Sequence, residues 1–174
     1  MLKLENKNIV LFGNAKSVFD TTREVDDKYD VICRCNAGLP TGEKKYLGSR
    51  TDILFLSLVL SKMQLELFRT KTIIWCSPKL EIITPLILKH INCMYSIKQW
   101  EILYANIKSR PSTGLMAFDY ILQNNFKTLT LIGFDFWNTP NWYTDTIHIA
   151  QHNPKAEQQY IEQKIKEYNG RILL

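Results

Sequence analysis

Three short stretches of this 174-residue chain carry residue types that can do chemistry together. Pro111-Ser112-Thr113-Gly114 opens an apolar, helix-like run. A turn feeding a helix start offers small hydroxyls and unpaired backbone N–H groups to an anion. A strand-like run then ends at Leu131-Ile132-Gly133-Phe134, and His152 stands five residues before Glu157. An imidazole can move a proton near neutral pH. An anion site beside a base suits an enzyme that handles a phosphorylated or carboxylated substrate. A surface histidine at a helix start would read the same way locally.

Two asparagines add to this set. Asn14 follows Gly13 at the end of the first apolar run, and Asn36 closes a second strand-like run, Arg34-Cys35-Asn36. The amide of Asn14 can donate to a phosphate oxygen and accept from a sugar hydroxyl or a base amine. An ordinary turn or helix cap would use the same residues. Gly48-Ser49-Arg50-Thr51 is a further polar turn ahead of a strand. The first glycine turn has neither the G-x-G-x-x-G spacing of dinucleotide sites nor the P-loop pattern.

The elements that must position these residues alternate. Apolar runs at 8–12, 30–35, 51–56, 71–76 and 129–133 read as strands, and 171–174 as a short terminal one. Helical periodicity covers 59–68, 80–90, 97–107, 115–124 and 155–168. Residues 36–50 and 138–152 read as loops. This order predicts one α/β domain over 1–174, a three-layer sandwich around a mostly parallel sheet. Long loops at the carboxyl ends of parallel strands are where such sheets bind ligands.

Taken in order, Gly13-Asn14, Arg34-Cys35-Asn36, Leu47-Gly48-Ser49-Arg50-Thr51, Pro111-Ser112-Thr113-Gly114, Gly133-Phe134, Asn141-Trp142 and His152-x4-Glu157 resemble the large, small and very small motifs of the animal sialyltransferases, glycosyltransferase family 29. Arg34-Cys35-Asn36, Tyr46-Leu47-Gly48 and Gly133-Phe134-Asp135-Phe136 also look like the Campylobacter-type bacterial sialyltransferases. The resemblance runs from about residue 8 to residue 161. It implies a Rossmann-like sheet of the GT-A-like sialyltransferase variant, a CMP-activated donor and no bound metal or other cofactor. It also implies roles. Asn14, Ser17 and Asn36 would contact the CMP part of the donor. Ser112, Thr113 and Gly114 would meet its anionic groups, and Gly133 would let the backbone approach the nucleotide. His152 would be the general base, with Glu157 steadying the local structure.

The chain departs from that family in three ways. The animal enzymes join their large and small motifs by a disulfide, yet no cysteine stands beside Gly13-Asn14 or within 122–128. The animal third motif has a histidine after Asn-Trp, where this chain reads Asn141-Trp142-Tyr143-Thr144-Asp145, so Tyr143 or His148 would take the phosphate or acceptor role. The chain is also shorter than the family's usual catalytic domain, which implies trimmed acceptor-binding insertions.

Composition narrows the classes. The formal charge is +5 and hydrophobic residues make up 45%; the mean hydropathy of −0.17 fits a soluble chain. No apolar run is long enough to span a bilayer, and the first eight residues lack the apolar stretch of a signal peptide. Cys33, Cys35, Cys76 and Cys93 make no C-x-x-C pair, and His90, His148 and His152 show no zinc spacing, so the cysteines read as buried free thiols in a reducing cytoplasm. Membrane contact is expected to be at most peripheral, through Lys44-Lys45 or the mixed-charge helix with Lys155, Lys164 and Lys166. The expected function is transfer of sialic acid, or a related acid such as Kdo, from a CMP donor to a glycan or glycolipid hydroxyl, as in bacterial lipopolysaccharide or capsule synthesis. The alternative is a nucleotide-sugar-binding protein without transfer activity. A nucleic-acid-binding role ranks below both, because no element carries an aromatic-rich basic stripe.

Overall fold

A single parallel sheet organises the chain. The structure is a computed structural model, and it describes residues 3–174 except 41–43, 71, 148 and 150. The first strand, β1 (Asn8–Phe12), is followed by a 3₁₀ turn (Lys16–Phe19), β2 (Val31–Cys35), α1 (Lys44–Leu47) and β3 (Ile53–Leu56). Then come α2 (Lys62–Phe68), β4 (Thr72–Trp75), α3 (Pro85–Leu88), β5 (Ile91–Met94) and α4 (Ile97–Ile107). The chain closes with α5 (Thr113–Leu122), β6 (Thr128–Ile132), α6 (Pro154–Glu167) and β7 (Ile172–Leu173). The strand order is β5-β4-β3-β2-β1-β6-β7, and every pairing is parallel.

Strands β1 to β4 are buried on both sides, which is why they read as apolar runs, broken inside only by Arg34 of β2. Alternation along β1 sends Ile9 and Leu11 into the core under α4, α5 and α6, while Val10 and Phe12 enter the core under the 3₁₀ turn and α1. On that second side, Leu54, Leu56, Ile73 and Trp75 pack with Leu65 and Phe68 of α2 and Ile87 of α3. Helix α5 sits at the centre of the first layer, burying Leu115, Met116, Ala117, Phe118 and Ile121. Each of these apart from Ala117 is worth roughly 1.5–3 kcal/mol when fully buried.

Three expectations needed correction. The helix expected over 80–90 is only the turn Pro85–Leu88. Proline lacks an N–H and clashes inside a helix but fits its first position, and Thr84 caps the turn by accepting from the Ile87 N–H at 3.3 Å. The loop over 36–50 contains the helical turn α1. Strand β5 was not expected. It is an edge strand whose residues alternate between partly buried and exposed, docked where Asn92 Oδ1 accepts the Ile73 N–H at 2.7 Å.

Candidate active site

Strand order reverses between β1 and β6. From β1 the sheet grows outward to β5, then the chain returns to lay β6 on the free side of β1. A crevice at the carboxyl ends of strands beside such a switch point is the general ligand site of open α/β sheets. Here the two strands end in Gly13 and Gly133. A Cβ on Gly13 would collide with the Gly133 carbonyl oxygen, and Gly133 has φ +73°. The crevice above them has a volume of about 420 Å³.

Asn14 and Asn36 both line it. The Asn14 amide donates to the Cys35 carbonyl and to Tyr143 Oη, each at 3.2 Å. Asn36 takes the left-handed conformation, φ +52°. Its amide donates to Thr113 Oγ1 at 3.1 Å, and its oxygen accepts the Ser57 N–H at 2.9 Å. The Ser57 and Thr113 hydroxyls are hydrogen-bonded to each other. Asn36 therefore ties the ends of β2 and β3 to the start of α5.

Ser112 is the N-cap of α5, accepting the Leu115 N–H at 3.1 Å. By helix geometry, the N–H groups of Thr113 and Gly114 have no partner one turn back, and both residues line the crevice. The cap is held from α6. Ser112 Oγ donates to Glu157 Oε2 at 2.6 Å and the Ser112 N–H to Oε1 at 2.8 Å. Glu157 is 3% exposed. Burial raises its pKa to about 7, against the two Ser112 bonds that favour the carboxylate. Helix α6 begins where it does because Asn153 accepts the Ala156 N–H and Pro154 occupies the first turn.

His152 immediately precedes that cap. Its Nδ1 lies 2.8 Å from the Arg110 carbonyl and 4.0 Å from Glu157 Oε1. A carbonyl oxygen only accepts, so Nδ1 carries the hydrogen and a neutral ring keeps its lone pair on Nε2. Burial lowers the His152 pKa below the usual imidazole value. Trp137 stacks on the ring, centroids 5.6 Å apart and planes 28° from parallel. Trp137 and Phe136 both have positive φ, +65° and +54°. Their turn is held by Asp135, whose Oδ2 accepts the Thr139 N–H at 3.0 Å. Backbone strain at non-glycine residues clusters at functional sites. Ser57 and Trp137 were not singled out from the sequence, and Asp135 stood there only within the Gly133-Phe134-Asp135-Phe136 motif, with no role given. A hydroxyl just beyond a parallel strand end was the available signal for Ser57.

Tyr143 also lines the crevice, and burial raises its pKa to about 12, so it is a neutral hydroxyl. Its loop is laced to the loop after β1. The Trp142 N–H donates to the Asn14 carbonyl at 3.0 Å, and Ala15 bridges Asn141. His148 lies outside the described residues. Ser17 does not reach the crevice. The chain leaves Asn14 through the 3₁₀ turn that buries Val18, and Ser17 faces a separate depression with Thr21 and Arg23. The Gly48 turn is also elsewhere, because it enters β3 at the opposite end of the sheet. Ser49 and Arg50 there donate their N–H groups to Asp26. Among the described residues, no group of three His, Cys, Asp or Glu is arranged to hold a metal ion.

No protein-family model and no curated protein sequence matches the chain. Solved structures do. The α-2,3-sialyltransferase Cst-I from Campylobacter jejuni is 18% identical, with a TM-score of 0.70 over 99% of this chain and 77% of that one. CstII from Campylobacter jejuni, solved with the substrate analogue CMP-3FNeuAc, is 15% identical, with a TM-score of 0.65 over 95% and 80%. A mammalian sialyltransferase is 15% identical, with a TM-score of 0.70 over 96% and 68%. This chain has the fold of the sialyltransferases.

Proposed function

We propose that this protein is an inverting, metal-independent glycosyltransferase that takes its sugar from a CMP-activated donor. One observation carries the reading. At the switch point of a sialyltransferase fold, the start of α5, Asn14 and Asn36 converge with a histidine whose Nδ1–H is committed to the Arg110 carbonyl. In this reading CMP lies between Asn14 and Asn36, and its phosphate faces Ser112, Thr113, Gly114 and the Tyr143 hydroxyl. The acceptor oxygen attacks the anomeric carbon as the bond to the phosphate oxygen breaks. The acceptor proton passes to His152 Nε2, and CMP leaves with the negative charge. Preset N–H and O–H donors stabilise charge that develops on the phosphate. Glu157 touches no substrate; it holds the α5 cap and borders the base. The donor sugar is sialic acid or a related acid such as Kdo, and the acceptor a glycan or glycolipid hydroxyl.

The test is transfer, or hydrolysis of CMP-sialic acid and CMP-Kdo, by the native protein and His152→Ala. Loss of turnover with CMP binding retained supports the reading. A second reading, a CMP-sugar-binding protein without transfer, draws on Tyr143 standing where the animal motif has histidine. It predicts tight CMP binding and no turnover across a panel of acceptors.

A further inference from the structure

We propose that the face built by α2, α3 and the segments leading into them docks on an anionic lipid surface. This inference does not rest on the glycosyltransferase reading. Val59, Met63, Leu67, Leu80, Ile82 and Leu88 are six of the fourteen large hydrophobics exposed among the described residues. Met63 is 68% exposed and Leu88 58%. They fall within 32 residues, 59–90, whose Leu60, Leu65, Phe68, Ile73, Trp75 and Ile87 belong to the shared core that joins α2 and α3 to the same side of β3 and β4. Met63 and Leu67 are one helical turn apart, so they present one edge of α2.

The same stretch is basic. It holds five Lys or Arg and two Glu, a net +3, whereas the other 142 residues together carry a net +2. Lys62, Arg69, Lys79 and Lys89 are exposed. Among them, within the described residues, only Lys62 is in an ion pair, with Glu66 at 3.7 Å. Apolar side chains set among cations suit the interface of an anionic bilayer, where apolar burial and charge attraction add. Charge argues against a second copy as the occupant. A two-fold dimer through this face would press net +3 against net +3. The face also adjoins the crevice. Ser57 and Leu58, at the carboxyl end of β3, line the crevice, and Val59 is the next residue. Docking would therefore bring the crevice to headgroup level.

The experiment is vesicle flotation of the full chain, with phosphatidylcholine alone and with added phosphatidylglycerol, at low and high salt. Binding only to the anionic vesicles is expected. Each cation near such a surface contributes roughly fivefold, so Lys79→Glu with Lys89→Glu should lower partitioning about 25-fold or more. Met63→Ser with Leu88→Ser should remove the binding that survives high salt. Lys155→Glu with Lys166→Glu, on α6, should give a far smaller loss; all of these sites are exposed, and unchanged melting curves will show that the variants fold. Absence of binding to anionic vesicles would overturn the proposal. So would binding that the face variants leave intact or that the α6 variant lowers equally. Sedimentation showing a dimer that Met63→Ser with Leu88→Ser dissociates would assign the face to a second copy instead.

Discussion

Arg34 and Asn36 stand two residues apart and serve opposite ends of the molecule's design. Arg34 is 1% exposed. Its guanidinium lies 4.6 Å from the Phe12 ring centroid. It donates to the Leu47 carbonyl at 2.6 Å, the Arg50 carbonyl at 3.0 Å and Thr51 Oγ1 at 3.0 Å. Burial lowers its pKa to about 10, which leaves it charged at neutral pH. The result is a closed knot that ties the Gly48–Thr51 turn under the sheet. Asn36, beyond the strand end, sits in an open crevice among hydroxyls, a carboxyl near neutrality and left-handed backbone. One sequence motif thus supplies both frame and site: Arg34 lies within β2, whereas Asn36 lies just beyond it, where left-handed backbone turns it out of the strand's alternation. The Arg34 knot pairs its donors with carbonyls and a hydroxyl of the turn, whereas the crevice leaves N–H groups and a ring nitrogen available to a ligand.

Variants can break or sharpen that contrast. The largest effect is expected at His152→Ala, with transfer down about a hundredfold to ten-thousandfold and the melting temperature little changed. Arg34→Ala should do the reverse. It orphans the buried Leu47 carbonyl and Thr51 hydroxyl and the partly buried Arg50 carbonyl, costing about 3 kcal/mol, and should lower the melting temperature by roughly 6–12 °C while CMP binding persists in the folded fraction. Trp137→Leu removes the stack on His152 and should lower kcat about tenfold to a hundredfold through misplacement of the base, with KM nearly constant. A melting-temperature loss at His152→Ala as large as that at Arg34→Ala would erase the distinction between site and frame.

The smallest effect is a pH signature. The Glu157 carboxyl has its folded pKa raised from 4.5 to about 7. Its contribution to stability is therefore full below pH 4.5 and lost as pH rises to about 7. His152 acts oppositely. Its pKa is lowered from 6.5, so its contribution is present above pH 6.5 and lost as pH falls through the lower folded value. Melting temperatures of the native chain and Glu157→Gln, compared across pH 4.5 to 7, should show the native chain losing ground as pH rises. Parallel curves would contradict the assignment.

Much of the frame was legible because β1 to β4 are buried on both faces and run almost wholly apolar, Arg34 apart, while β6 alternates threonine with buried leucine. β5 was not, since an edge strand buries little and Asn92 breaks its pattern. Within the crevice, Asn14, Asn36 and Ser112–Gly114 were legible as turns at element ends. Ser17 was misplaced because a 3₁₀ turn rotates it away, a bend that sequence spacing does not encode. The five-residue spacing of His152 and Glu157 does not set their geometry by helix periodicity, because His152 precedes the Asn153 cap and lies outside α6. Trp137 gave no periodic signal; its position depends on consecutive left-handed residues in a turn that Asp135 holds.

The central claim is that the crevice between β1 and β6 takes a CMP donor. A thermal-shift comparison of CMP, UMP, GMP, ADP and their sugars tests it most directly. At a ligand concentration 100 times Kd, stabilisation is about 2.7 kcal/mol, a rise of roughly 5–11 °C for a chain of this size. The account predicts that rise for CMP and its sugars, and its loss in Asn36→Ala. No rise with CMP, or a preference for uridine or guanosine nucleotides, would contradict it.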